Sequence, residues 1–218
     1  ILREAGGVFT DLSGGAVGLA TTSVLAGTPA MHAHALAAMG GRVGESEDES
    51  FANVAARGAA QASAASDFCV KIDVRGLAPG RPYFYRFLSG SGPSLAGRTV
   101  TAPTGAQSLS VGLVSCANYG FGYFHAYGHL AARDDVDLVL HTGDYVYEYG
   151  HDEYPRTELM IPGRAFDPDH EIVSLDDYYR RYQQYHTDPN LLALRAAKPI
   201  AAVWDDHEIT NDATATGA

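Results

Sequence analysis

The sequence is short of cysteine, of tryptophan and of positive charge. Its two cysteines, Cys69 and Cys116, lie far apart and neither sits in a Cys-x-x-Cys pair. That excludes a disulfide framework and leaves the redox compartment open. Only 15 lysines and arginines stand against 26 acidic residues, a net charge of −11. A surface of that sign repels a phosphodiester backbone, and no Lys/Arg stripe offsets it, so no nucleic-acid partner is expected. No uninterrupted apolar run of about 18 residues occurs, which leaves a transmembrane helix unsupported. What is present is a chain of 218 residues, 46% hydrophobic and 19% charged, with 13 tyrosines against a single tryptophan. That suffices for a packed core and for one ordinary domain plus something small. Because it opens on Ile1 and ends on NDATATGA, the chain reads as a fragment or a processed piece.

Composition divides the chain into three parts. Residues 1–44 form a leader: 11–35 are small, weakly apolar and nearly uncharged, and close on Ala33-His34-Ala35. This is the make-up of a secretory segment before a small-residue cleavage site, and its weak hydrophobicity suits the twin-arginine export machinery. Only Arg3, beside Glu4, supplies a basic start, and an Ala/Gly-rich disordered leader is the alternative. Glu45-Ser46-Glu47-Asp48-Glu49 reads as a solvated linker.

Residues 45–106 read as a partial fibronectin-like β-domain. Phe68–Val74 alternates as a half-buried strand, Tyr83–Phe87 is an aromatic strand and Gly97–Thr101 a third, separated by Gly/Pro turns. Such spacing belongs to a β-sandwich, of which about half the strands are visible. Cys69 fits a small buried apolar position.

Beyond Pro103 strands and helices alternate. Leu109–Val114, Val136–Leu140 and Pro199–Trp204 read as strands, Tyr123–Arg133 as a helix. Ser174 with Asp177 starts a second helix carrying Tyr178, Tyr182 and Tyr185, and Asp188-Pro189 a third. The expectation for 107–218 is a mostly parallel α/β sheet with helices on both faces. Each strand ends in polar residues: Ser115-Cys116-Ala117-Asn118, then Gly143-Asp144-Tyr145-Val146-Tyr147, then Asp205-Asp206-His207-Glu208. Parallel strands open their carboxyl ends into one crevice, so these groups converge, and their mixture suits one or two metal ions. Taken singly each has a plainer reading. Asp144 and Asn118 fit turns, Cys116 a buried small residue, His207 a satisfied structural histidine and Asp206 a helix N-cap.

Four segments in order, SCANYGFGYFHAYGHLA, DLVLHTGDYVYEYG, SLDDYYRRYQQYHTDP and VWDDHE, resemble the signatures of the alkaline phosphatase D family. These are exported metallophosphoesterases related to purple acid phosphatases, with an N-terminal fibronectin-like domain. The resemblance runs from about Asp67 to Glu208 and implies that the chain is an N-terminal portion. It implies an incomplete metallophosphoesterase-type α/β sheet behind a partial fibronectin-type β-sandwich. It places Cys116, Asp144, Tyr147 and Asp206 as metal ligands, Asp144 bridging two metals and Tyr147 binding ferric iron. His207 falls at the catalytic histidine, and Asn118 lies near the first ligand. The cofactors implied are iron(III) and calcium. Arg164 is a candidate phosphate contact or a solvated loop arginine.

The activity implied is hydrolysis of phosphate monoesters or diesters by a metal-bound hydroxide at a two-metal or multi-metal site. Its location would be the periplasm, the cell surface or the extracellular space. A phosphodiesterase acting on phospholipids or wall polymers is a variant of that reading. The alternative is a truncated, non-catalytic fragment or binding module. Family members draw further ligands from a later half, whereas only 11 residues follow His207 and no histidine is among them.

Overall fold

A computed structural model describes residues 51–63, 69–70, 72–89, 92–105, 108–151, 153–154, 156–214 and 216, with the backbone alone of 9–10, 25–26 and 41–46. Apart from two short strands, β1 (Phe9–Thr10) and β2 (Leu25–Ala26), and the first residues of β3 (Gly41–Ser46), the leader expected over 1–44 lies outside the described residues. β1 and β2 pair antiparallel. Glu45 and Ser46 correct the linker reading, because both sit in β3, whose amides are paired on two sides. The rest of the acidic patch lies outside the described residues.

β3 is flanked by β4 (Val54–Ala60) and β5 (Pro82–Ser89), both antiparallel to it. The outer edge of β5 carries β6 (Gly92–Pro93) and β7 (Gly97–Val100). Tyr83 and Phe87 of β5 are buried, as alternation requires. The strand expected over Phe68–Val74 does not form among its described residues, although Cys69 and Val70 are buried. A strand has only two edges, and β3 and β7 occupy both edges of β5. The described residues thus give one antiparallel sheet beside the β1–β2 pair; the second layer of a fibronectin-type sandwich is not established.

The second sheet is parallel throughout, in the order β10 (Ile200–Ala202), β9 (Leu138–His141), β8 (Val111–Val114). Three helices follow from local chemistry. In α1 (His125–Ala131), Gly128 is where α3 comes close, since a Cβ there would lie 2.3 Å from Asn190 Oδ1. In α2 (Leu175–Tyr185), Ser174 Oγ accepts from Asp177 N at 3.2 Å and the Asp177 carboxylate accepts from Ser174 N at 2.9 Å, a closed capping box. In α3 (Pro189–Ala197), the Asp188 carboxylate accepts from Asn190 N and Leu191 N at 2.8 and 3.1 Å, and Pro189 needs no acceptor.

Tyr127, Tyr182, Tyr185, Leu191 and Leu194 of these helices join Val139 and Ala202 in one apolar cluster. The opposite face of β8 shows Val111 at 46% and Leu113 at 67% exposure. The described helices therefore cover one face of the sheet, where the sequence led us to expect both. The excess of tyrosine has a use here. The phenol rings fill the core while their hydroxyls reach buried partners, such as Tyr185 Oη accepting from Tyr119 N at 3.1 Å. The long connection over 150–173 is held by Arg181 of α2, wholly buried, which donates to the carbonyls of Tyr147, Tyr149, Asp167 and Pro168. No helix among the described residues is long and apolar enough to cross a membrane.

Candidate metal centre

Strand register brings the site together. Val114 and Ala202 both stand opposite His141, so the three parallel strands end level and their following loops share one edge. The first two loops are stitched by backbone: Cys116 N donates to Gly143 O at 3.2 Å and Ala117 N to Asp144 O at 2.8 Å. Cys116 and Asp144 are both left-handed, with φ of 57° and 53°. Such a conformation is unfavourable for residues bearing a Cβ and persists only where surrounding contacts impose it. Gly143, with φ of 112°, allows the third loop to close in, because a Cβ there would lie 2.4 Å from Asp205 Cβ and 2.7 Å from Asp205 N.

The contact that fixes this geometry is Glu208, which the sequence reading quoted but gave no role. Its carboxylate is buried and accepts four backbone amides. Oε2 takes Asp144 N at 3.1 Å and Asp205 N at 2.7 Å, and Oε1 takes Val146 N at 3.3 Å and Tyr145 N at a shorter distance. One side chain thus ties the loop after β9 to the loop after β10. Burial pushes its pKa above the ordinary 4.5 despite those amides.

Held this way, Asp144, Asp206 and His207 each bring one ligand atom to within 4.8 Å of the others. Asp144 is buried; its Oδ2 accepts from Tyr147 Oη at 3.1 Å, while its Oδ1 is buried with no partner. Cys116 is exposed, not buried. Burial, reinforced by the Asp144 carboxylate and the Cys116 thiol, drives the Tyr147 pKa far above the ordinary 10.0. Asp206 Oδ2 accepts from Asp212 N at 2.6 Å. Desolvation raises the Asp206 pKa, but amide hydrogen bonds from Asp212 and its own loop, with His207 nearby, outweigh it and hold the carboxyl below 3.8. Asp206 caps no helix, since 206–212 is a run of turns. His207 is packed against Tyr147 at 4.3 Å between ring centres, the planes tilted by 34°, and edge-on against Tyr149 at 5.3 Å. Its Nδ1 is 2.8 Å from Glu148 Oε2, and Glu148 Oε1 accepts from Asn211 N at 2.6 Å.

Two expected residues have other engagements. Asn118 Oδ1 accepts from Gly120 N at 3.2 Å and caps the short turn Tyr119–Phe121, the turn geometry that its sequence allowed. Arg164 is 6% exposed, which corrects the solvated-loop reading. It donates to Asp188 Oδ2 at 2.8 Å and to Tyr119 O at 2.6 Å, with its guanidinium 3.8 Å above the Tyr119 ring. Arg164, Glu148 and Glu208 carried no local signal of these roles, because all their partners except the Asp205 amide of Glu208 lie 24 to 64 residues away in sequence.

The donor set fits a hard cation. Asp144 and Asp206 offer carboxylate oxygens, Tyr147 a phenol and His207 an imidazole, with Cys116 adjoining. The partnerless Asp144 Oδ1 is a buried acceptor that a cation would satisfy.

The N-terminal domain of the PhoD-like phosphatases matches residues 22–103, and the PhoD-like phosphatase domain itself matches residues 110–218. Alkaline phosphatase D of Bacillus subtilis (strain 168) is 38% identical over 169 residues, which are 76% of this chain. The solved structure of PhoD superposes with a TM-score of 0.71 and 34% identity, over 81% of this chain and 34% of that one. The chain spans 28% of the length of the curated relative. With both segments matched, and the curated and structural relatives agreeing over most of its length, the chain belongs to the PhoD-like phosphatase family.

Proposed function

We propose that this chain carries part of the active site of a metal-dependent phosphoric ester hydrolase, acting on phosphate monoesters or diesters outside the cytoplasm. The observation that supports it most is the meeting of Asp144, Asp206 and His207 ligand atoms within 4.8 Å, around a buried carboxylate oxygen that lacks any partner. Membership of the PhoD-like phosphatase family supports the same reaction class.

Asp144, Asp206, Tyr147 and Cys116 would hold the iron(III) and calcium that the family resemblance implies, with Tyr147 as the phenol for iron(III). When bound, the cations offset the negative charge of an acidic protein toward a phosphate and activate a water as nucleophile. The residues do the rest. The left-handed Asp144 and the Glu208 clamp keep the ligands at fixed separation, so that little rearrangement accompanies the reaction. His207 presents one ring nitrogen to the reacting groups, where it takes up a proton and passes it to the leaving oxygen. Export by the twin-arginine machinery, which carries folded proteins, is part of the same proposal.

The test is metal analysis with hydrolysis of an aryl phosphate by the full-length protein. Asp144→Asn should lose both bound metal and turnover. His207→Ala should keep most of the metal and lose about two to four orders of magnitude in turnover. Full activity in Asp144→Asn would refute the mechanism.

A further inference from the structure

We propose that Glu148 is the positioning residue of His207, fixing which imidazole nitrogen faces the metal ligands; this rests on the function proposed above. Glu148 is 1% exposed, in a stretch of tyrosines, and both of its oxygens are taken. Oε1 accepts from Asn211 N at 2.6 Å and Oε2 lies 2.8 Å from His207 Nδ1. An ionised carboxylate only accepts, so Nδ1 carries the proton and Nε2 is the nitrogen left for the site. The ring has little freedom to turn, since Tyr147 covers it at 4.3 Å and Tyr149 abuts it at 5.3 Å. Asn211 closes the arrangement, because its amide anchors the carboxylate from the far side of the same turn that carries Asp206 and His207. A buried carboxylate against one nitrogen of an imidazole is a general means of setting tautomer and orientation.

Replacing Glu148 with glutamine inverts that logic. The single amide oxygen satisfies Asn211 N, and the amide NH2 then faces Nδ1 as a donor. Nδ1 must accept, and the proton moves to Nε2.

The experiment uses the full-length protein. Glu148→Gln should lower kcat at least about tenfold with KM and bound metal unchanged. In a His207→Ala background the same substitution should change kcat less than about twofold, because its effect passes through the imidazole. An equal loss in both backgrounds would overturn the proposal, as would loss of bound metal in Glu148→Gln. A measurement without turnover stands beside it: histidine 15N NMR of the metal-free protein should show His207 protonated at Nδ1 in the wild type and at Nε2 in Glu148→Gln. A wild-type ring protonated at Nε2 alone sinks the proposal whatever the kinetics. Full activity in Asp144→Asn would instead refute the underlying reading, so the two failures are told apart.

Discussion

Glu208→Gln tests whether the loops that carry the metal ligands are held by one side chain. Each oxygen of Glu208 takes two backbone amides, Oε1 those of Tyr145 and Val146 and Oε2 those of Asp144 and Asp205. A glutamine has one oxygen, and whichever way its amide turns, the NH2 confronts two N–H donors, both buried on the Oε1 side and at least Asp144 N buried on the Oε2 side. Leaving a buried donor unsatisfied costs about 1–3 kcal/mol, so the loss is roughly 1–6 kcal/mol, a large part of the stability of an ordinary domain. The damage is placed where it also touches function. Either pair of orphaned amides belongs to the Asp144 loop or bridges it to Asp205, so the separation between Asp144 and Asp206 is lost with the clamp. Urea unfolding at pH 7 should read the stability, and metal content after dialysis against iron and calcium should read the ligand geometry. A variant within about 1 kcal/mol of wild type that binds its full complement of metal would refute the clamp.

Two further predictions follow from the same region. Burial lowers the His141 pKa from 6.5 to about 4, with its Nε2 2.8 Å from Tyr127 Oη. The folded protein keeps this imidazole neutral, so between pH 6.5 and about 4 the unfolded chain binds the extra proton. The stabilisation from His141 is complete above pH 6.5 and falls by roughly 3 kcal/mol as pH drops toward 4. His141→Gln should flatten the dependence of unfolding free energy on pH in that window, and parallel curves for the two proteins would count against it. Gly143→Ala combines a left-handed residue with a Cβ 2.4 Å from Asp205 Cβ. A loss of about 2–5 kcal/mol in urea unfolding, with loss of bound metal, is expected; an unchanged unfolding midpoint would show that the loops can part without cost.

The sequence alone determined the succession of strands and helices after Pro103, and with it the edge on which the site stands. Apolar runs at Leu109–Val114, Val136–Leu140 and Pro199–Trp204 mark the strands, although Val111 and Leu113 of the first lie on the face that the described helices leave open. The caps at Ser174 and Asp188 were legible because capping is local, with donor and acceptor within three residues. The approach of Asp144, Asp206 and His207 was legible for a simple reason: parallel strands in register end together, wherever their loops lie in the chain.

Tertiary structure decided the rest. Phe68–Val74 alternates like a strand, yet none of its described residues is paired, and a period of two does not say whether a sheet edge will receive it. Arg164 has the local surroundings of a solvated loop residue, but Asp188 and the Tyr119 ring receive it in the interior. Arg181 sits in a helix full of polar residues and proves to be wholly buried, because carbonyls of the long connection converge on it from outside the helix. Glu148 and Glu208 differ in no local respect from surface glutamates. Apart from the Asp205 amide beside Glu208, their partners are backbone amides and an imidazole about 60 residues away, and a carboxylate becomes a clamp only once the fold has brought those donors to it and removed the water.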